Sequence, residues 1–327
     1  MSSSTSISDS LARPGRRAAA FLLMLAGGAA VAVALFVVAV ALGLRDATML
    51  RETKQAIEFK LAPLEAPGRP PYLVVVAGSN AAYSIDSPAL RRLTGLPVAN
   101  LAIQWSYTAY VFDRAIPDLR PGDVILLPLE YEYFSSLEGR SQLEACYLIM
   151  EDRRPLASAR AFLSAMWDCS PMLMMDGLVY RTAVAFGMHE RVFDPRDQLT
   201  PEGDMRENAA GANHWRGAVP IAQVPEDRAF GNPRFASLIR AALARGARVF
   251  LSYPVRPQRD DGRAVVSADW VPHFEAWAAA VGVPVISTPE AHVFPADCFF
   301  DSPYHLHRGC TAANSERYAA ALRPYLH

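Results

Sequence analysis

The stretch Tyr72-Leu73-Val74-Val75-Val76-Ala77-Gly78-Ser79-Asn80 decides the architecture. A continuous apolar run rich in valine, closed by a glycine, is the pattern of a strand covered on both faces, as in a parallel sheet. Working outward, Ser87 to Leu93 reads as a short helix with Pro88 in its first turn. Val98 to Ile103 is a second strand, Tyr107 to Leu119 a helix, and Asp123 to Leu129 a third strand after the turn Arg120-Pro121-Gly122. This alternation predicts an α/β domain with a doubly wound parallel sheet. It breaks from about 131 to 230, where helical patterns at Leu156 to Met166 and Met172 to Phe186 and a polar stretch from Asp194 to Arg216 predict a helical insertion forming a cap or rim. It resumes with a helix near Pro233 to Arg245, a strand at Arg248 to Tyr253, a helix near Trp270 to Val281, a short strand at Val283 to Ser287 and a closing helix at Thr311 to Leu322.

Ser79 follows the first strand, and open α/β sheets bind ligands beyond the carboxyl ends of their strands. Late in the chain, Asp301-Ser302-Pro303-Tyr304-His305-Leu306 places a carboxylate and an imidazole on one loop. A serine hydroxyl is a poor nucleophile at neutral pH. It needs a neutral imidazole to take its proton and a carboxylate to hold that imidazole in the right tautomer. Ser79, His305 and Asp301 are therefore candidates for nucleophile, base and orienting acid. His307 lies two residues beyond His305 and competes for the base, and Asp297 is an alternative carboxylate. His189, His214, His273, His292 and His327 have no organised partners in the sequence. Candidate oxyanion or substrate-binding groups are Asn80, Asn100, Gln104 and Glu130, each at or near the expected end of a strand. Asn80 reads equally as a turn residue, and Glu130 as a loop support.

These residues resemble the SGNH hydrolase family, in particular its membrane-anchored branch, which includes the D-alanyl transfer protein of teichoic acid synthesis and alginate O-acetyltransferase proteins. Gly78-Ser79-Asn80 is similar to the branch's Gly-Ser-x block, and Asp301 to Leu306 to its late Asp/His block. The resemblance spans roughly residues 72 to 320. Where the family offers an oxyanion glycine this chain has Asn100-Leu101-Ala102-Ile103-Gln104, and where it offers Gly-x-Asn-Asp the chain has Leu127-Pro128-Leu129-Glu130-Tyr131. The resemblance implies an SGNH/flavodoxin-like fold and a serine acyltransferase or esterase acting on O-acyl groups, acetyl first among them, of an extracytoplasmic polysaccharide. It implies no metal and no diffusible cofactor, and a multi-spanning membrane O-acyltransferase as acyl-donating partner. The two departures support a rival expectation, a catalytically degenerate domain that binds glycan or scaffolds a secretion complex.

A formal net charge of −1 gives no basic face, which argues against nucleic acid as a partner. Arg13, Arg16 and Arg17 precede an uncharged stretch from Ala18 to Leu44, long enough at about 1.5 Å per residue to cross a hydrocarbon core of about 30 Å. It exceeds the apolar region of a signal peptide, so residues 18–44 are expected to be an uncleaved anchor with residues 1–17 as a cytoplasmic tail. Residues 45–71, ending in Pro63, Pro67, Pro70 and Pro71, read as a stalk. Residues 72–327 are then the domain, on the periplasmic side of a bacterial inner membrane. Cys146, Cys169, Cys298 and Cys310 allow three pairings, of which 146 with 169 and 298 with 310 is the most local; buried free thiols are the alternative. Trp105, Tyr107, Tyr110, Tyr131, Tyr133 and Phe134 cluster near the expected carboxyl edge of the sheet, either as core or as a face for sugar rings.

Overall fold

The computed structural model describes residues 8–326 apart from 46, 136–140, 153–157, 170, 188–193, 207–214, 216, 218, 227–228 and 263. His189, His214, His327, the first seven residues and parts of the 131–230 segment lie outside the described residues. The chain forms two compact units, Met1–Arg51 with Ser170–Glu190, and Glu52–Cys169 with Arg191–His327.

The larger unit is built on four parallel strands, β1 (Leu73–Val75), β2 (Val98–Asn100), β3 (Val124–Leu127) and β4 (Arg248–Leu251), in the order β2-β1-β3-β4. The apolar run after Tyr72 is the centre of this sheet. Leu73, Val74, Val75, Val76 and Ala77 are all fully buried, and pairing continues past β1 through the Val76 N–H to the Leu126 carbonyl. The strand expected at Val283 to Ser287 is reduced to a single parallel bridge between Leu251 and Val285. Side chains alternate across the sheet. Leu73, Val75, Val124, Leu126 and Phe250 share one core with Tyr318, Ala319 and Leu322 of the helix Arg308–Leu322, which also packs on the helices Ser79–Ser84 and Ser87–Thr94. The helix Pro233–Ala244 packs on β4 and on the helix Thr108–Ala115. The described helices of the 131–230 segment include Gln142–Met150 and Ala159–Asp168 in this unit and Pro171–Ala185 in the smaller one, while Leu199 and Met205 form an antiparallel bridge.

The expected stalk is corrected. Residues Thr48–Glu65 are a helix, with Ile57, Lys60, Leu61 and Leu64 buried at helical spacing. Pro63 lies inside its last turn and lacks the N–H that would donate to the Phe59 carbonyl, a cost that the burial of this stripe offsets. Beyond the helix, Arg69 enters a buried bidentate pair with Asp123, at 2.8 and 2.6 Å, and Asp123 also accepts the Tyr72 N–H at 2.8 Å. The proline-rich segment is thus fastened to the start of β1 and β3.

In the smaller unit the helix Ser8–Arg45 contains a window, Ala18–Phe36, long and apolar enough to cross a membrane and not covered by other parts of the chain. The cysteines pair as 146 with 169 and 298 with 310, and no free cysteine remains.

Candidate functional site

Strand placement reverses direction between β1 and β3: β2 lies to one side of β1, and β3 and β4 to the other. Such a switch leaves a crevice at the carboxyl ends of the two strands. Ser79 follows β1 and Glu130 follows β3, and both line a cleft of about 500 Å³ with Trp105, Glu132, Tyr133, Ser302, Tyr304 and His305.

Ser79 opens the helix Ser79–Ser84, so its N–H lies among the terminal amides that find no partner within a helix. Its Oγ lies 2.8 Å from His305 Nε2, and His305 Nδ1 lies 2.6 Å from Asp301 Oδ1. Burial lowers the His305 pKa against the opposing charge of Asp301, which favours the neutral ring. The neutral tautomer that fits donates from Nδ1 to Asp301 and accepts the Ser79 O–H at Nε2. A serine hydroxyl so placed can attack an electrophilic carbon and pass its proton to the ring. Asp301 is 46% exposed at its side chain and His305 14%, so the cleft reaches the histidine while solvent reaches the acid.

The His305 loop is held from two directions. Ser84, at the far end of the serine's own helix, donates to the Tyr304 carbonyl at 2.9 Å and accepts the Leu306 N–H at 3.1 Å. The Tyr83 ring stacks on the imidazole with centroids 4.1 Å apart. The Cys298–Cys310 disulfide closes the base of the segment containing Asp301 and His305.

Glu130 supports the nucleophile turn from below. Its carboxyl accepts the Gly78 N–H at 3.1 Å and the Asn80 N–H at 3.2 Å. Burial pushes its pKa up to about 8, although these N–H donors favour the charged form. The close approach explains Gly78: a Cβ there would lie 2.6 Å from the Glu130 carboxyl carbon.

Several candidates sit away from the cleft. Asn80 is buried and its side-chain amide donates to the Pro128 carbonyl at 2.7 Å. Asn100 is fully buried, donating to Ala81 O and Asp204 and accepting the Ala102 N–H. Both asparagines thus serve the scaffold behind the serine. Gln104 is exposed and does not line the cleft. His307 caps the helix Arg308–Leu322, its Nδ1 accepting the Gly309 N–H, and Asp297 is exposed on a short turn. His292, one of the histidines read as surface or locally satisfied, is fully buried, bonded to Asn314 at 2.9 Å and stacked on Tyr318. Of the aromatic set, Tyr107, Tyr110, Tyr131 and Phe134 are core, while Tyr133 and the 52% exposed Trp105 face the cleft. Ser84, Tyr83, Glu132 and Tyr304 belong to the site without having been singled out, and the last two pair at 2.6 Å. Among the described residues no group of three His, Cys, Asp or Glu is placed to hold a metal ion.

No family model, curated protein or solved structure matches this chain.

Proposed function

We propose that this protein is a membrane-anchored serine acyltransferase or esterase acting on O-acyl groups, acetyl first among them, of an extracytoplasmic polysaccharide. The observation that carries it is the continuous chain from Ser79 Oγ through His305 to Asp301 at the mouth of a cleft. Ser79 Oγ attacks the acyl carbonyl carbon and its proton passes to His305 Nε2. The C–O bond to the leaving alcohol breaks as His305 returns the proton to that oxygen, leaving the acyl group on Ser79. Water or an acceptor sugar hydroxyl then attacks the acyl carbon, giving its proton to His305 Nε2; the bond from that carbon to Ser79 Oγ breaks and His305 returns the proton to Ser79. Asp301 holds the ring and stabilises its charged form. The Ser79 N–H, in the first turn of its helix, is a backbone donor available to the oxyanion.

The strand order, with its reversal between β1 and β3, supports a doubly wound sheet of the SGNH/flavodoxin-like kind. The exposed indole of Trp105 supports a sugar ring at the cleft. Two disulfides and the arginines ahead of the apolar window support a periplasmic domain on a single-pass anchor. A transferase at that location draws acyl groups from across the membrane, hence a multi-spanning O-acyltransferase as partner. One observation favours the rival, a non-catalytic glycan-binding or scaffolding domain: the Asn80 and Asn100 amides are engaged inside the scaffold, away from any oxyanion.

A fluorophosphonate probe discriminates the two. Labelling of the wild type that is lost in Ser79→Ala supports the enzyme, whereas a folded wild type inert to the probe and to acetyl esters favours the rival.

A further inference from the structure

We infer that the helix Pro171–Ala185 lies along the membrane surface with its outer face in lipid. The inference rests on the anchoring of the chain proposed above.

The helix belongs to the same compact unit as Ser8–Arg45 and packs against it. Its two faces differ sharply. Leu173 and Gly177 are buried and Tyr180 and Val184 half-buried, a stripe at helical spacing. Met172, Met175 and Val179, followed by Phe186 just past the helix end, form another stripe at similar spacing. They are 77%, 55%, 63% and 88% exposed. Large apolar side chains aligned on one open face mark an interaction surface.

The occupant follows from the neighbour. The helix Ser8–Arg45 carries the Ala18–Phe36 window, which is equally uncovered by protein and needs a hydrocarbon environment. A helix packed on that one, in the same unit, meets the same bilayer. At 15 residues it is too short to cross a core of about 30 Å at about 1.5 Å per residue. It also carries Asp176 and Arg181, both exposed. Polar residues beside an apolar stripe suit a helix lying in the interfacial plane. The placement of Tyr180 agrees: the Arg51 guanidinium lies 4.9 Å above its ring, and Arg51 is well beyond the end of the apolar window. Tyrosine and arginine are residues of the headgroup level. Methionines on the lipid face suit an irregular boundary because their side chains adapt. The chain would then meet the bilayer at two separate places, the anchor and this helix.

The test uses the full chain reconstituted into phosphatidylethanolamine and phosphatidylglycerol liposomes. An environment-sensitive fluorophore is attached to a single new cysteine at Val33, Met175, Val179 or Arg181; the native cysteines are all paired. Lipids carrying a nitroxide on the acyl chain are expected to quench probes at 33, 175 and 179, and iodide in the water to quench the probe at 181. Lipid quenching at 33 with iodide quenching at 175 and 179 would overturn the inference while leaving the anchor in place. Probes at 175 and 179 shielded from both quenchers would mean that protein covers the face, and would equally overturn it. Failure of lipid quenching at 33 would remove the anchor, and the inference with it.

Discussion

Ser84 grips the backbone on both sides of His305, accepting the Leu306 N–H and donating to the Tyr304 carbonyl. Because Ser84 ends the helix that Ser79 begins, one hydroxyl fixes the distance between the proposed nucleophile and its base. Ser84→Ala removes both of these hydrogen bonds, which should cost about 1–3 kcal/mol of stability. The larger effect should be on turnover: kcat on an acetyl ester should fall at least about tenfold with KM little changed, as misplaced catalytic groups cost rate more than binding. Ser84→Thr, which retains the hydroxyl, should recover part of the rate. Steady-state kinetics and urea unfolding of the three proteins check this.

The Cys298–Cys310 bridge should matter to the same loop. The double variant Cys298→Ser with Cys310→Ser should lose about 2–4 kcal/mol, the usual contribution of a bridge closing a short loop. The equivalent change at Cys146 and Cys169 should also lower stability, but should spare activity in whatever fraction remains folded. Activity per folded molecule, measured below each melting transition, separates the two bridges.

The acid side of the pH profile tests the environment of His305. Burial disfavours its charged form, so the neutral base should persist below the ordinary histidine value of about 6.5. The acid limb of kcat/KM should therefore fall below that pH. Asp301 opposes the shift, so Asp301→Asn should move the limb further down while lowering kcat about 10²–10⁴-fold through loss of tautomer control. The stability term has the same sign: an unfolded chain takes up the proton first, so this contribution is lost as pH falls from about 6.5 towards the folded value.

Glu130 should act in the opposite direction. Its carboxyl stays protonated up to about 8 in the folded chain, against 4.5 for the free group. The folded state therefore loses stability from this group as pH rises between those values. Glu130→Gln removes that term, so its stability relative to wild type should improve steadily from pH 5 to pH 8 in urea unfolding; a pH-independent difference would contradict the shift. Gly78→Ala should be more damaging than either, because the added methyl meets the same carboxyl.

The sheet was legible because its strands are buried on both faces: Leu73 to Ala77 and Val124 to Leu129 are apolar throughout, with turn residues beside them. The helix Trp270–Val281 has the expected bounds. The helix Thr48–Glu65 was obscured by the prolines that follow it, and its buried stripe includes a lysine, Lys60, whose ammonium group reaches the carbonyls of Asn100 and Gly203. Ser79, Asp301 and His305 stood out because their chemistry is legible as a set. Ser84 and Tyr83 did not, since a serine and a tyrosine on a short helix have no signature until the His305 loop is folded against them. Asn80 and Asn100 were misplaced for the converse reason: a position near a strand end gives no indication of which way an amide turns, and here both turn inward to satisfy buried backbone groups.

The central claim is that Ser79 carries the acyl group, and the most direct measurement is intact-protein mass spectrometry after rapid mixing with p-nitrophenyl acetate at neutral pH. Wild type should gain the mass of one acetyl group, located on Ser79 by peptide mapping, with a matching burst of p-nitrophenol. Ser79→Ala should show neither. An acetyl group on another residue, or equal turnover by wild type and Ser79→Ala, would contradict the account.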